Sequence, residues 1–127
     1  MLDADSDPAI IIFAHGSSIE SANEAVRVVA REFRARSGRV LVEAAFLEKG
    51  EPDLAGAAAG LAARGARTIL ILPYFLTLGI HLQRDLPRMA QDAERALPGV
   101  RLKIAPPLDG HDALVEILLE RARAAAE

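Results

Sequence analysis

The chain alternates between short continuous apolar runs and longer stretches in which apolar residues recur at helical spacing. The apolar runs cover residues 9–14, 40–47, 67–75 and 100–105. Continuous apolar runs of this length are typical of strands that are buried on both faces of a sheet. Each run precedes a segment whose apolar residues share one helical face, which predicts an amphipathic helix. The pattern therefore predicts four consecutive strand–helix units.

Several polar residues and prolines indicate where the helices begin. Ser21 and Glu24 have the spacing of a capping box, which places the start of the first helix there. Pro52 and Pro87 are expected in the first turns of the second and third helices, where the N–H that proline lacks would be unpaired anyway. Asp109 is the expected N-cap of the last helix.

Alternating strands and helices with short connections favour a parallel sheet covered by helices on both faces. If the crossovers are right-handed and the sheet is doubly wound, the expected strand order is 2-1-3-4. Ligands bind such sheets beyond the carboxyl ends of the strands at the switch point, here between the first and third strands. Residues 8–127 are expected to form this single domain, and residues 1–7 a disordered tail.

Two histidines are predicted to lie at this switch point. His15 directly follows the first strand, and His81 lies in the loop after the third strand. Two imidazoles suit cobalt, nickel, iron or zinc better than calcium or magnesium. The chain has no cysteine, so a metal held by the two histidines would keep open coordination positions, unlike a structural site. Glu48, at the end of the second strand, could add a carboxylate.

Each candidate also has a simpler interpretation. His15 alone could be a histidine that is hydrogen-bonded at a strand terminus, and His111 is expected to cap the last helix or face solvent. Arg84 and Arg88 could bind carboxylates as bidentate forks or form a solvated helix face. The turn at residues 15–18 could cradle a phosphate at a helix N-terminus, although it lacks the G-x-G-x-x-G and P-loop spacings.

Composition excludes several classes of function. The 127 residues carry a net charge of −3 and include no Trp and one Tyr, which disfavours nucleic-acid binding. No apolar run approaches the roughly 20 residues of a membrane span. The acidic N-terminus is unlike a signal peptide. We therefore expect a cytoplasmic protein with neither a nucleic-acid nor a membrane partner.

The order of the motifs resembles the small CbiX-type sirohydrochlorin chelatases. The likeness covers residues 10–119 and rests on the sequences A-H-G-S at 14–17, A-F-L-E at 45–48, L-P-Y-F-L at 72–76, G-I-H at 79–81 and R-D-L-P at 84–87. It implies a chelatase-like (flavodoxin-like) three-layer α/β domain. It also implies a lyase that inserts a divalent metal, Co²⁺ with Fe²⁺ or Ni²⁺ as alternatives, into a tetrapyrrole for cobalamin-type or sirohaem-type cofactor synthesis.

The resemblance also implies roles for individual residues. His15 and His81 would handle the metal and the pyrrole protons, with Glu48 as a helper. Arg84, with Ser17 and Thr77, would bind the substrate, and Arg88 or Lys49 could also orient its carboxylates. The metal would be a substrate, with no cofactor permanently bound.

Family members of this length are half-size, so the resemblance implies a homodimer. The family often has Gly-x-His-Pro near the last helix, whereas this chain has Gly110-His111-Asp112, which puts a site role for His111 in doubt. Two alternatives stay open: a non-catalytic metal or tetrapyrrole carrier, and a flavodoxin-like phosphate- or nucleotide-binding domain.

Overall fold

The computed structural model describes residues 7–127, which form four strands and four helices in alternation. The strands are β1 (Ala9–Ala14), β2 (Val42–Phe46), β3 (Thr68–Pro73) and β4 (Arg101–Ile104). The helices are α1 (Glu20–Ser37), α2 (Leu54–Ala63), α3 (Ile80–Ala96) and α4 (Asp112–Ala126). All strand pairs are parallel in the order β2-β1-β3-β4, so the predicted α/β fold and strand order are confirmed.

The predicted N-terminal tail lies outside the described residues except for Asp7. The Asp7 carboxylate accepts a hydrogen bond from Arg39 at 2.9 Å. Arg39 also donates to the carbonyl of Pro8 at 2.6 Å, which ties the chain just before β1 to the residues that precede β2.

The core lies on both sides of the central strand β1, whose six residues are all buried. Successive side chains of a strand point to opposite faces, so β1 divides its residues between two clusters. Ile10 and Ile12 pack with Ala30 of α1. Ile11 and Phe13 pack on the other face, in the cluster that contains the buried residues of α2 and α3. The expected helical layers on both faces are therefore present.

Helix α4 has no buried residue. Four of its apolar side chains are exposed, with relative accessibilities between 46% and 68%: Val115, Ile117, Leu118 and Leu119. We call these four residues the α4 apolar patch. A cavity of about 570 Å³ lies where Leu114 and Ile117 of α4 approach Tyr74 and Leu76 of the β3–α3 loop. The last helix is thus present as predicted, but the rest of the described chain leaves its apolar patch uncovered.

The predicted capping box is wrong. Helix α1 begins at Glu20 and its N-cap, Ile19, makes no side-chain capping bond. Glu24 instead accepts from Arg31 at 2.8 Å on the helix surface. The chain enters α1 through a local turn in which the Ser17 hydroxyl accepts from the N–H of Ile19 at 3.0 Å, and no capping box forms.

Both proline predictions are also wrong. Helix α2 has Asp53 as its N-cap, with the side chain accepting from Gly56 N, so Pro52 precedes the helix. The Pro52 carbonyl accepts from the N–H of Phe46 at 2.9 Å and closes the β2–α2 loop. Pro87 lies inside α3, which already begins at Ile80. Leu82 packs against the core, which stabilises more than a full turn of helix before this proline.

Candidate active site at the carboxyl edge of the sheet

Strands β1 and β2 bring His15 and Glu48 side by side. The ladder ends with Leu47 N, which donates to Ala14 O at 2.9 Å, and directly beyond it Glu48 N joins the two loops by donating to His15 O at 3.0 Å. The Glu48 Oε2 atom lies 3.8 Å from His15 Nδ1. Two of the residues predicted from the sequence to act together are therefore neighbours.

The surroundings of the His15 ring define which of its nitrogens is free. Nδ1 lies 3.2 Å from the carbonyl oxygen of Gly16 and also faces the Glu48 carboxylate. Both neighbours accept hydrogen bonds, so we assign the proton of the neutral ring to Nδ1, which leaves the lone pair on Nε2. The side chain is 61% exposed and packs edge-on to Phe75, with the ring centroids 6.5 Å apart. Histidines that bind metals commonly have this arrangement, with the second nitrogen donating to a carbonyl or carboxylate.

Gly16 allows the two loops to approach each other. Its φ is +91°, and a Cβ at this position would lie 1.7 Å from the carbonyl oxygen of Glu48. A side chain is therefore excluded both by the backbone conformation and by the contact. The N–H of the next residue, Ser17, donates to the side chain of Asn23 at 2.9 Å, so this amide is not free to bind an anion. That bond weighs against a phosphate cradle at this turn.

His81 lies in the first turn of α3, not in the preceding loop as predicted. The side chain is exposed, and its Nδ1 atom lies 3.5 Å from Nη2 of Arg84, at the outer limit of a hydrogen bond. Arginine can only donate, so Nδ1 of His81 is the acceptor. In the described chain no hydrogen bond, ion pair or ring contact joins His81 to His15. The order of the strands places both histidines at the same edge of the sheet.

In the loop before α3, both backbone groups of Leu78 are hydrogen-bonded to side chains. The N–H of Leu78 donates to both carboxylate oxygens of Asp109, at 3.0 and 3.1 Å, and its carbonyl accepts from Gln83 at 2.8 Å. The prediction that Asp109 is the N-cap of α4 is therefore wrong. That position belongs to His111, whose Nδ1 accepts from Ala113 N at 3.0 Å, so the predicted capping role of His111 is confirmed. Thr77, beside Leu78, is exposed.

The residues 7–127 contain no group of three or more His, Asp or Glu side chains that could hold a metal ion. A metal bound to His15 would take its remaining ligands from water or from a bound molecule.

Within the same residues, no helix combines the length and the apolar character needed to cross a membrane.

Asn23 is a site residue that the interpretation of the sequence missed. It is 1% exposed, and its side chain bonds to backbone groups of both loops. The available signal was its position, three residues before Val26 and seven before Ala30, on the apolar face of α1. A polar residue on a buried helical face must find hydrogen-bond partners, and here they are the loops that carry the site.

A parallel 2-1-3-4 sheet with a histidine and a carboxylate side by side at its carboxyl edge, next to the switch point, defines a small α/β protein that can bind a metal or transfer a proton at that edge. The comparison with protein families then gives a narrower assignment. The CbiX family model matches residues 9–125, and the chain belongs to the CbiX family.

Relatives within the family carry chelatase names. The chain is 33% identical over 116 residues to the sirohydrochlorin cobaltochelatase of Sulfolobus acidocaldarius, covering 91% of this chain and 90% of the relative. It is 31% identical over 119 residues to the chloroplastic sirohydrochlorin ferrochelatase of Arabidopsis thaliana. That match covers 94% of this chain and 52% of the relative, so the chain spans about half the length of the plant protein.

Solved structures with the same fold include one of similar length and one about twice as long. A putative cobalamin biosynthesis CbiX protein from Marinobacter aquaeolei superimposes with a TM-score of 0.75 and 25% identity, covering 93% of this chain and 95% of that protein. SirB from Bacillus subtilis, in a structure with Fe³⁺, superimposes with a TM-score of 0.85 and 22% identity. This second match covers 95% of the present chain but 48% of SirB.

Proposed function

We propose that this chain is a sirohydrochlorin chelatase, which inserts a divalent metal into the tetrapyrrole. Co²⁺ and Fe²⁺ are the metals favoured by the names of its relatives, and Ni²⁺ is a further candidate. The observation that supports the proposal is the environment of His15, whose Nδ1 contacts Gly16 O and faces Glu48, while Nε2 has no partner in the described chain. The proposed cytoplasmic location stays a prediction.

The chemistry of insertion needs a group of this kind. The tetrapyrrole loses two N–H protons while the metal exchanges its water ligands for the four ring nitrogens, so the charges balance with the release of two protons. A neutral imidazole can bind the metal or accept a proton at its free nitrogen, because its unperturbed pKa is about 6.5. Because the protein supplies only a few ligands, the metal is also not trapped on the protein.

His15 and Glu48 act together in this proposal. Glu48 holds the protonated Nδ1 side of the ring, which directs Nε2 toward the metal or the pyrrole proton. When the ring accepts a proton, the carboxylate stabilises the resulting imidazolium. Glu48 is therefore a helper of His15 and not a metal ligand in its own right.

The hydrogen bonding of His81 differs from that of His15, because Nδ1 of His81 faces the guanidinium group of Arg84. Arg84 is exposed and can turn away from His81 to bind a carboxylate of the substrate. That movement would release the lone pair of Nδ1, so substrate binding would prepare His81 for the metal or for a pyrrole proton. Ser17 and Thr77 lie at the same edge of the sheet, and their hydroxyl groups would donate hydrogen bonds to the other carboxylates of the substrate.

We also propose that the protein acts as a homodimer. The chain covers about half of the plant relative and about half of SirB, so two copies of it together would match the length of those proteins. The exposed α4 apolar patch supports this proposal, since large exposed apolar patches mark interaction sites. Leu76, which is 76% exposed, lines the same cavity as Ile117 of the patch and extends the apolar surface.

The test is anaerobic metal insertion into sirohydrochlorin, followed by the absorbance of the tetrapyrrole with Co²⁺, Fe²⁺ and Ni²⁺ in turn. The expected result is metallated product in large molar excess over protein. A spectral change limited to one equivalent would identify a metal or tetrapyrrole carrier instead. Thermal stabilisation by nucleotides, with no response to metal or tetrapyrrole, would favour a nucleotide-binding domain and contradict the proposal.

A further inference from the structure

Asn23 is one of two buried polar residues in the described chain, and its side chain is fully hydrogen-bonded. Its Oδ1 accepts from the N–H of Ser17 at 2.9 Å. Its Nδ2 donates to the carbonyls of Ser17 at 2.8 Å and of Lys49 at 2.9 Å. A buried amide without partners costs about 1–3 kcal/mol, so these three bonds make the position compatible with the core. These three partners are all backbone groups outside α1, the helix that contains Asn23.

The three bonds join the two loops that carry His15 and Glu48. Ser17 lies two residues after His15, and Lys49 directly follows Glu48. Lys49 has a φ of +55°, a left-handed conformation that costs a non-glycine residue roughly 1–3 kcal/mol and persists only where surrounding contacts hold it. The bond from Asn23 to the Lys49 carbonyl is such a contact.

The bond to Ser17 N also reaches the His15 ring through one peptide plane. The N–H of Ser17 and the carbonyl of Gly16 belong to the same planar peptide group and point in opposite directions. When Asn23 accepts from that N–H, it fixes the direction of the Gly16 carbonyl. This carbonyl lies 3.2 Å from His15 Nδ1, so the orientation of the peptide determines whether Nδ1 has an acceptor.

We propose that Asn23 is a positioning residue, which sets the orientation and tautomer of His15 by fixing the Gly16–Ser17 peptide and holding the Glu48 loop beside it. Its catalytic consequence rests on the proposed chelatase function; its effect on the His15 ring does not. Without Asn23 the Gly16 carbonyl can rotate away and the Glu48 loop can separate. The ring then loses the partners that keep its proton on Nδ1 and its lone pair on Nε2.

The direct test is ¹⁵N NMR of the histidine ring nitrogens at about pH 9, well above the ordinary imidazole pKa of about 6.5. In the wild-type protein His15 is expected as the Nδ1–H tautomer. In Asn23→Ala its ring nitrogens should shift toward the Nε2–H form. His111 is an internal control, because its Nδ1 accepts from Ala113 N in a part of the fold that Asn23 does not touch.

The variant Asn23→Asp distinguishes a role of Asn23 in positioning His15 from a general loss of stability of the fold. The carboxyl group of this variant still accepts from Ser17 N–H but an ionised one cannot donate to the Lys49 carbonyl, so His15 should keep more of the Nδ1–H form than in Asn23→Ala. Leu102→Ala, in strand β4 at the opposite edge of the sheet from β2, is a destabilised control with an unchanged His15 spectrum. A wild-type His15 in the Nε2–H form would overturn the proposal even if Asn23→Ala did not fold, and so would an unchanged tautomer in a folded Asn23→Ala.

The kinetic test follows the same logic. Asn23→Ala should lower kcat for metal insertion by about tenfold or more, as is typical when the hydrogen bonds that orient a metal-binding side chain are lost, with KM for the tetrapyrrole nearly unchanged. Asn23→Asp should recover part of the loss. If the wild-type protein inserted no metal, the chelatase proposal would fail while the NMR result still decided the role of Asn23. Wild-type kcat in Asn23→Ala would overturn the catalytic part of the inference alone.

Discussion

His15 and Glu48 are joined by a backbone hydrogen bond, and their side chains face each other. The N–H of Glu48 donates to the carbonyl of His15 at 3.0 Å, and Glu48 Oε2 lies 3.8 Å from His15 Nδ1. The backbone bond lies in the loops directly beyond the last paired residues of β1 and β2, Ala14 and Phe46. The packing of these two loops therefore sets the separation of the imidazole and the carboxylate.

The two histidines should both be needed for metal insertion. His15→Ala should lower the rate by at least about a hundredfold, the usual contribution of an acid–base group, and His81→Ala by at least about tenfold. The measurement is the initial rate of anaerobic insertion at saturating metal. The matched control is His111→Asn, which removes an imidazole but keeps a good N-cap for α4, so its rate should equal that of the wild type. A wild-type rate in His81→Ala would contradict the role given to that residue.

Glu48→Gln should weaken metal binding and slow insertion by about 10–100-fold, because the His15 ring loses the charged partner of its Nδ1–H. The backbone bonds of residue 48 remain, so the fold and the KM for the tetrapyrrole should be preserved. Glu32→Gln, which changes an exposed carboxylate on α1, is the control. Equal metal affinities of Glu48→Gln and wild type, measured by titration calorimetry, would exclude this role for Glu48.

Gly16→Ala should lower the free energy of unfolding by at least about 2 kcal/mol. The left-handed conformation costs an alanine roughly 1–2 kcal/mol, and the Cβ would collide with the Glu48 carbonyl. Gly60→Ala is a control of opposite sign, since this exposed glycine lies in α2 with open space around it, and alanine there should stabilise by up to about 1 kcal/mol. Urea denaturation measures both. A stable Gly16→Ala protein would show that the loops can separate without cost.

Leu118→Glu should convert a dimer into a monomer. Leu118 is 68% exposed in the single chain, so a glutamate there is compatible with the fold but would not fit in a buried apolar interface. Light scattering gives the mass, and far-UV circular dichroism should be unchanged. Val40→Glu changes an exposed apolar residue that precedes β2, at the opposite edge of the sheet from β4 and the α4 helix that follows it, and should stay dimeric. A wild-type protein that is monomeric at the concentration of the assay would contradict the proposed dimer.

The ion pairs at the start of α1 should make stability depend on pH. The hydrogen bond from Arg27 lowers the pKa of Glu20 below its ordinary value of 4.5, and the hydrogen bond from Arg31 lowers the pKa of Glu24 in the same way. A lowered pKa means that these bonds stabilise the fold fully above about pH 4.5 and lose their effect as the pH falls through the folded-state pKa values.

The variant Arg27→Met tests this dependence. The difference in Tm between wild type and variant should be larger at pH 7 than at pH 3, as measured by calorimetry at low salt. Part of the difference should persist in acid, because Arg27 also donates to Glu51 O and lies over the Phe46 ring. Arg36→Met, which removes a single surface pair with Glu32, is the control with a small effect. Equal differences at the two pH values would contradict the prediction.

The starts of the helices show where local sequence signals were insufficient. Ser21 and Glu24 have capping-box spacing, yet α1 begins at Glu20 because the preceding turn is tied to Asn23 and Ile19. Pro87 was expected to mark the start of α3, but burial of Leu86 and packing of Leu82 extend the helix ahead of it. Local capping preferences are worth about 1 kcal/mol, less than the burial of one or two large side chains.

The sequence by itself determined the strand–helix order, the parallel sheet with its switch point, and the choice of His15, Glu48 and His81 as candidates. Hydrophobic periodicity is local, and the handedness of crossovers converts it into one topology. Only the tertiary structure decided that Glu48 faces Nδ1 of His15, that Asn23 bonds to the loops of both residues, and that α4 leaves its apolar patch exposed. These contacts join residues far apart in the chain, and their distances depend on how the loops pack beyond the sheet, which no local pattern specifies.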